Sequence, residues 1–295
     1  MKEGFLSLFI FANIFNWLNW GGKFEHPKSV PRNKIQASIY DVSSFKLVAK
    51  KLPMEVAEQI TATNVLVREL GSGVVYEKNA QESKSIASIT KLMTALISYQ
   101  IYEEDEKFKI SADAIEVEGE AGGFLSGEIF KRNDLIKTAL IGSSNDAAFA
   151  LAEKNELEKF IQLMNLKAKE LKMTETQFVD SVGLSKYNKS SLDDLYNLVE
   201  YTSRTAPEIF NFSKTEKFLL SGKYKRTIEN LDYLIPLYKG YIIASKTGFT
   251  PEAGECLILV LKFEKSSFLF VGILNSKNRF EDAERLIISL RELYK

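Results

Sequence analysis

The sequence predicts an α+β fold, with an antiparallel sheet flanked by helices and built from both ends of the folded domain. Two observations support this prediction. Extended patterns typical of strands occur near residues 63–76 and again after residue 217, and a long block with helical apolar spacing separates them. An amphipathic helical pattern then follows the last strand pattern. Strand and helix patterns grouped in this way are typical of a sheet with a helical insertion.

The first strand pattern is that of a β-hairpin. Residues 63–69 alternate around two valines, residues 71–73 supply a Gly-Ser-Gly turn, and residues 74–76 resume the extended pattern. After Ser88 the apolar spacing becomes i, i+3, i+4, i+7 and i+8, which predicts a helix buried along one face. The apolar residues at this spacing are Ile89, Leu92, Met93, Leu96 and Ile97.

Helical spacing then continues over residues 111–210, with short polar breaks, and returns over residues 280–294. Between these two helical stretches we predict extended segments that complete the sheet with the hairpin. The predicted segments are residues 217–221, 242–246, 256–263 and 268–274.

The N-terminal region predicts a targeting segment. Residues 4–20 form an apolar run, interrupted by one serine and three asparagines, and the chain is polar immediately afterwards. At a helical rise the run spans roughly 25 Å, just short of a bilayer core. We expect residues 1–22 to be a signal peptide or a membrane anchor. A retained anchor is favoured over a cleaved signal peptide because no A-x-A-like cleavage site follows the run. Residues 23–57 are expected to be a spacer and residues 58–295 the folded domain, with a helical subdomain over about residues 111–215.

Composition excludes several classes of function. The chain has 39 basic and 39 acidic residues, so it lacks the broad positive charge of a nucleic-acid-binding protein. It has one histidine and one cysteine, His26 and Cys256. His26 precedes a proline in the predicted spacer, where a Ser-His-Asp triad is not expected, and a zinc site needs more such ligands. We therefore expect no metal and no organic cofactor, and a catalytic base must be Lys, Asp, Glu or Tyr.

One short motif fits a lysine base. In Ser88-Ile89-Thr90-Lys91 the serine and lysine share a helix face at i and i+3, at the start of the predicted helix. Free backbone N–H groups and the helix dipole there favour developing negative charge. A lysine in apolar surroundings loses proton affinity and can deprotonate a serine nucleophile. A second match, at residues 43–46, is interpreted as part of the solvated spacer.

Two further motifs follow in a fixed order: Ser143-Ser144-Asn145 lies between helical patterns, and Lys246-Thr247-Gly248 ends an extended run. Alone each is common, but the order S-x-x-K, S-x-N, K-T-G is a catalytic signature. The sequence around them resembles the low-molecular-mass penicillin-binding proteins, specifically the serine D-alanyl-D-alanine carboxypeptidases. The resemblance covers residues 61–290 and is closest in residues 86–95, 144–148 and 246–250, with weaker agreement at Gly183, Leu184 and Arg279.

The resemblance implies a β-lactamase/transpeptidase-like fold and a role for each motif residue. Ser88 would attack the penultimate D-Ala carbonyl of a peptidoglycan stem peptide, and Lys91 would take its proton. Ser143 would relay a proton to the leaving amine, and Asn145 would hold the substrate amide and orient Lys91.

The K-T-G strand would bind the other end of the substrate. Lys246 and Thr247 would receive the terminal carboxylate, and Gly248 would let the strand approach closely. The N–H groups of Ser88 and Phe249 would bind the oxyanion. β-Lactam antibiotics would act as covalent inhibitors, and the enzyme would work outside the cytoplasmic membrane, associated with it through the N-terminal segment.

Departures from the family pattern leave alternatives open. Some relatives carry an arginine fifteen residues before the K-T-G lysine, where this chain has Leu231. Carboxylate binding is therefore expected to depend on Lys246 and Thr247. Class A β-lactamases add a glutamate in an E-x-x-L-N segment that this sequence lacks, so slow release of penicillin is expected. The same groups could cut D,D-crosslinks as an endopeptidase, while a catalytically inactive wall-binding protein is disfavoured because all five catalytic residues are present.

Several other features have structural interpretations. Cys256 is predicted to lie in a strand core, as is the run of residues 268–270. Three glutamates in Gly-rich surroundings are predicted to lie in a solvated loop or at a hairpin rim. These are Glu118, Glu120 and Glu128. Residues 223–226 form a small basic patch, interpreted as a hairpin tip.

Overall fold

The computed structural model describes residues 51–295. The predicted signal or anchor, the second S-x-x-K match and residues 23–50 of the predicted spacer lie outside the described residues. Within residues 51–295, no helix combines the length and the apolar character that crossing a membrane requires.

The strands are short near the middle of the chain and long in the main sheet. In chain order they are β1 (Asn64–Glu69), β2 (Val74–Lys78), β3 (Lys84–Ser85), β4 (Lys107–Lys109), β5 (Ile129–Lys131), β6 (Lys189–Ser190), β7 (Lys217–Ser221), β8 (Lys225–Glu229), β9 (Ile242–Thr250), β10 (Gly254–Lys262) and β11 (Phe268–Ser276). The helices are α1 (Met54–Gln59), α2 (Lys91–Ile101), α3 (Ala112–Ile115), α4 (Arg132–Ile141), α5 (Asn145–Glu153), α6 (Leu157–Glu170), α7 (Leu192–Thr205), α8 (Glu208–Ser213), α9 (Leu234–Leu237) and α10 (Arg279–Leu293). A 3₁₀ turn, Ala87–Thr90, leads into α2.

The main sheet confirms the predicted α+β architecture. Its order is β2-β1-β11-β10-β9, and every neighbouring pair is antiparallel, so strands from both ends of the domain meet. Alternating residues along β1 face opposite sides of the sheet. Val65 and Val67 pack in a core that includes Leu286 of α10, whereas Leu66 packs in the core on the helical side.

The predicted spacer ends in ordered structure. Helix α1 lies beside α10, and Leu52 is buried in the same core as the sheet face that α10 covers. Val56 and Ala57 pack partly against that core. Residues 52–57 of the predicted spacer therefore pack on the domain, because the apolar side chains of Leu52, Val56 and Ala57 are buried or partly buried there.

The prediction of helical periodicity over residues 111–210, with only short polar breaks, is wrong in two stretches. Residues 116–128 form a loop, in which three glycines have positive φ at positions 119, 123 and 127. Residues 171–191 contain only a two-residue strand, and short polar side chains there hydrogen-bond backbone N–H groups instead of leaving them to a helix. Both irregular segments border the site described next.

Candidate active site

Ser88 occupies the 3₁₀ turn that precedes α2, and the backbone around it is unusually constrained. Ala87 has φ 46°, in the left-handed region that side chains rarely adopt. Gly183, at φ 90°, lies against this residue so closely that a Cβ on it would be 2.1 Å from the Ala87 carbonyl oxygen. The residue at position 183 must therefore be glycine for the turn around it to reach the nucleophile.

Lys91 is fully buried one helical turn from Ser88. Its Nζ donates hydrogen bonds to Ser88 Oγ at 2.8 Å, to Asn145 Oδ1 at 2.7 Å and to the Val182 carbonyl at 2.6 Å. Burial lowers the pKa of Lys91 to about 7, although the carboxylates of Asp180, Glu120 and Asp146 oppose the shift. When the amine is neutral, its two N–H groups can remain on the Asn145 and Val182 oxygens, which leaves its lone pair facing Ser88.

The S-x-N motif lies at the junction between α4 and α5. Ser143 has φ 54°, and the Ser144 hydroxyl caps α5 by accepting the Ala147 N–H at 3.1 Å. Asn145, the first residue of α5, donates its Nδ2 to the Glu118 carbonyl at 2.5 Å and its backbone N–H to the Glu120 carbonyl at 2.7 Å. These bonds hold the amide so that its oxygen faces Lys91.

The K-T-G motif lies in β9, where Lys246 is fully buried. Its Nζ donates to Ser143 Oγ at 2.8 Å and to the Thr247 carbonyl at 2.7 Å. Burial, followed by the positive charges of Lys91 and Arg279, lowers the pKa of Lys246 well below its usual value. An anion entering this site would therefore supply a counter-charge and favour the protonated amine.

Gly248 and Phe249 continue the same strand past the nucleophile. A Cβ on Gly248 would lie 3.2 Å from the Ser88 backbone nitrogen and 3.1 Å from the Ile86 carbonyl, so the strand approaches the nucleophile turn as the sequence predicts for a glycine. Phe249 follows with 60% of its side chain exposed, at the rim of the site, and Thr247 is buried.

The three predicted motifs thus meet, and S-x-N is the bridge between the other two. Asn145 bonds to Lys91 of the first motif, and Ser143 bonds to Lys246 of the third. The resulting site has one serine hydroxyl beside a lysine of lowered pKa and a second buried lysine beside a second hydroxyl. Such an arrangement is suited to activating a serine nucleophile and receiving an anionic group.

Sequence reasoning assigned no role to two groups that contact the site. The Val182 carbonyl bonds to Lys91, and a main-chain acceptor has no signature in the side-chain sequence. Arg279, which entered only through the weaker resemblance, donates its Nη1 to the Gly248 carbonyl at 3.0 Å. Its guanidinium is a third positive charge close to Lys246, whereas Leu231 at the family's arginine position is 38% exposed.

Other sequence predictions have mixed outcomes. Cys256 is buried in β10, as predicted, and burial raises the pKa of its thiol to about 11. The side chains of Glu118 and Glu120 are exposed in the 116–128 loop, as predicted. Glu128 is 8% exposed and adjoins β5 at the rim of the β4–β5 hairpin, so of the two predicted alternatives the hairpin rim applies to it and the solvated loop does not. Glu128 forms an ion pair at 3.0 Å with Arg226, which reduces the net positive charge of the predicted basic patch. Within residues 51–295, no group of three His, Cys, Asp or Glu side chains is placed to hold a metal ion.

Comparison with known proteins assigns the chain to a family. Residues 50–277 match the family model described as D-alanyl-D-alanine carboxypeptidase. A D-alanyl-D-alanine endopeptidase of Escherichia coli (strain K12) is 30% identical over 273 residues, covering 86% of this chain and 87% of the relative. A D-alanyl-D-alanine carboxypeptidase of Bacillus subtilis (strain 168) is 29% identical over 232 residues, covering 73% of this chain and 57% of the relative.

Solved structures support the fold. A D-alanyl-D-alanine carboxypeptidase from Mycobacterium tuberculosis H37Rv superposes with a TM-score of 0.74 at 21% identity, covering 81% of this chain and 92% of that one. The Streptomyces K15 DD-transpeptidase has a TM-score of 0.71 at 24% identity, covering 78% and 97%. The family match over most of the sequence and the 30% identical relative show that the chain belongs to the D-alanyl-D-alanine carboxypeptidase family of serine peptidases.

Proposed function

We propose that the protein hydrolyses the D-Ala-D-Ala bond of peptidoglycan stem peptides through an acyl-enzyme on Ser88. Ser88 Oγ forms a bond to the penultimate D-Ala carbonyl carbon, and Lys91 Nζ takes the hydroxyl proton. The C–N bond then breaks, and the terminal D-Ala leaves after its nitrogen receives a proton by way of Ser143. Water hydrolyses the resulting ester and restores Ser88.

The remaining motif residues bind the substrate in this proposal. Lys246 and Thr247 receive the terminal carboxylate, and Asn145 holds the substrate amide while it orients Lys91. The backbone N–H groups of Ser88 and Phe249 bind the oxyanion, and one such donor typically contributes about 3 kcal/mol to lowering the barrier. The close approach of Gly248 to the Ser88 backbone supports this arrangement, because it brings the strand and the nucleophile turn together.

The single observation that best supports the proposal is the placement of Lys91. It is buried, its pKa is lowered to about 7, and its Nζ lies 2.8 Å from Ser88 Oγ. A base with a pKa near the working pH is efficient at proton transfer. Covalent labelling by a fluorescent penicillin tests this: the wild-type protein should be labelled and Ser88→Ala should not. A folded wild-type protein that takes no label would contradict the proposal.

A second candidate activity is cleavage of D,D-crosslinks as an endopeptidase. The match to the E. coli endopeptidase over 86% of this chain favours it, as does a 32% identical endopeptidase from Pseudomonas aeruginosa, covering 80% of this chain and 78% of the relative. Mass analysis of products separates the two activities. A pentapeptide substrate should lose one alanine if the protein is a carboxypeptidase, and a crosslinked dimer should yield two monomers if it is an endopeptidase.

Both activities require the enzyme to meet peptidoglycan, so we propose that it acts outside the cytoplasmic membrane. The N-terminal apolar run of residues 4–20 is the proposed signal or anchor. Cell fractionation of a tagged full-length protein tests this proposal. Recovery from the membrane fraction supports an anchor, recovery of a shortened protein outside the cytoplasm supports cleavage, and cytoplasmic recovery contradicts both.

A further inference from the structure

A tight turn formed by residues 180–185 lies against the base, and none of the three motifs includes it. The turn is organised by one carboxylate. Asp180 Oδ1 accepts the backbone N–H groups of Val182 at 2.8 Å and Gly183 at 2.5 Å, and Oδ2 accepts that of Ser185 at 2.8 Å. Three backbone donors on one short side chain determine the path of the chain through the turn.

The carbonyl groups of this turn hold the helix that carries the base. The Ser181 carbonyl accepts the Thr94 hydroxyl at 2.6 Å, and the Val182 carbonyl accepts from Lys91 Nζ at 2.6 Å. Thr94 and Lys91 are three residues apart on α2, so they present adjacent side chains to consecutive carbonyls of the turn. Both side chains are fully buried, which makes these acceptors necessary for their polar groups.

The orientation of the Lys91 amine depends on the Val182 carbonyl. A neutral amine has two N–H groups and one lone pair, and only acceptors can fix the N–H groups. Asn145 Oδ1 holds one of them and the Val182 oxygen holds the other, so the lone pair faces Ser88. Without the Val182 oxygen the amine could rotate an N–H toward Ser88, and the lone pair would then not face the hydroxyl proton.

We propose that Asp180 is a positioning residue for the general base, because its three backbone hydrogen bonds hold the Val182 carbonyl where it directs the Lys91 lone pair at Ser88. This inference rests on the proposed function, in which Lys91 deprotonates Ser88. Asp180 acts through the turn and has no assigned contact with substrate.

Asp180 also contributes negative charge near the base. The charged groups that face Lys91 are Asp180 from the turn, Glu120 from the 116–128 loop, Asp146 from α5 and Lys246 from β9. The three carboxylates raise the pKa of Lys91, and Asp180 has the largest effect among them, against the dominant lowering by burial. Removing the Asp180 charge should therefore lower that pKa, so that the acidic limb of the acylation rate moves to lower pH.

The test uses the full chain and three variants: Asp180→Ala, Asp180→Asn and, as a matched control, Asp105→Asn in the exposed turn after α2. Asparagine retains the Oδ1 acceptor for Val182 and Gly183 but loses the charge and the acceptor for Ser185. The measurement is the second-order rate constant for acylation by a fluorescent penicillin across pH 5–9, together with the melting temperature of each variant.

We expect Asp180→Ala to reduce the acylation rate constant roughly 10- to 100-fold, as misplacement of a catalytic group does. Asp180→Asn should lose less activity and should shift the acidic limb to lower pH, while Asp105→Asn matches the wild type in both. A purely structural role would lower the folded fraction without moving the limb. If Asp180→Ala does not fold, the plateau rate constant of Asp180→Asn tests the positioning role, because this variant loses the hydrogen bond from Ser185 and should acylate more slowly than the wild type.

Two results would overturn the inference: a wild-type plateau rate constant for acylation in a folded Asp180→Ala protein or, where that variant does not fold, a wild-type plateau rate constant in Asp180→Asn. A limb of Asp180→Asn at the wild-type pH would contradict the charge effect of Asp180 on Lys91. These results differ from failure of the proposed function. If Lys91 is not the base, Lys91→Met is still acylated, whereas failure of the present inference leaves acylation dependent on Ser88 and Lys91 and insensitive to Asp180.

Discussion

Two lysines are buried in the same cleft, and the groups around them differ. Lys91 has two rigid oxygen acceptors besides Ser88, the Asn145 amide and the Val182 carbonyl. Lys246 bonds to the Ser143 hydroxyl and to the carbonyl of its own neighbour, Thr247. Burial lowers the pKa of both amines. Carboxylates from three segments oppose this shift at Lys91, whereas at Lys246 the cations Lys91 and Arg279 add to it and Glu120 and Asp232 oppose it less strongly.

This difference fits the two roles that we propose for the lysines. The fixed acceptors around Lys91 leave one direction open, toward Ser88, which is the geometry that a base needs. The cations beside Lys246 make its protonated form depend on an added negative charge, which is the property of an anion receptor. In the proposed mechanism, the surroundings of each lysine, rather than the lysine itself, therefore distinguish the base from the anion receptor.

The largest effect is expected from Lys91→Met, which retains an unbranched apolar side chain one atom shorter and removes the amine of the proposed base. Acylation should fall by about 10³-fold or more, because general-base catalysis typically contributes up to about 10⁴-fold. The measurement is the second-order rate constant for labelling by a fluorescent penicillin, with circular dichroism as the control for folding. Rapid labelling of this variant would eliminate Lys91 as the base.

Lys246→Met should have a smaller effect on acylation, of about 10²-fold, since it removes an electrostatic contact and leaves the nucleophile and base in place. The loss should be greatest for ligands that carry a carboxylate. Comparing acylation by a penicillin with that by its methyl ester checks this point, because the wild type should prefer the acid and the variant should lose that preference. Equal discrimination in both proteins would contradict the assignment of Lys246 as the receptor.

The two glycines that approach the nucleophile turn should also differ. Gly183 has φ 90°, and Gly183→Ala would place a Cβ 2.1 Å from the Ala87 carbonyl oxygen. Gly248→Ala would place its Cβ 3.1 Å from the nearest non-adjacent atom, the Ile86 carbonyl oxygen. We expect Gly183→Ala to lower the free energy of unfolding by about 2 kcal/mol, in the range known for backbone strain and overpacking, and Gly248→Ala to lower it less. Urea denaturation measures both values. A Gly183→Ala variant as stable as the wild type would show that the turn can move away.

The pH dependence of acylation should show the lowered pKa of Lys91. Because only the neutral amine accepts a proton, the rate constant should rise with pH up to about 7 and then level off. One pH unit below this value, the rate constant should be about tenfold lower than at the plateau, as expected for one ionising group. Stopped-flow labelling across pH 5–9 measures the limb. A rate constant that does not change down to pH 5 would contradict a Lys91 pKa of about 7.

Much of the fold is predictable because the spacing of apolar side chains follows the period of each helix and strand. The hairpin of β1 and β2, the strand β7 and the terminal helix α10 occur within a residue or two of their predicted positions. The loops over residues 116–128 and 171–191 are not predicted by periodicity. Their conformations depend on contacts with distant residues, such as that of Asn145 with the Glu118 carbonyl.

The candidate catalytic side chains are predictable from the sequence alone: a serine and lysine three positions apart, a second serine with an asparagine, and a second lysine two positions before a glycine. The sequence also excluded imidazole and thiol chemistry through the scarcity of histidine and cysteine. Three features become visible only in the folded chain: S-x-N bridges the other two motifs, Asp180 organises a turn against Lys91, and Arg279 donates to the Gly248 carbonyl. Main-chain carbonyls orient the two lysine amines, and nearby charges shift their pKa values. Apart from the Thr247 carbonyl, these carbonyls and charges come from other segments of the chain, so they reach the lysines only when the chain folds.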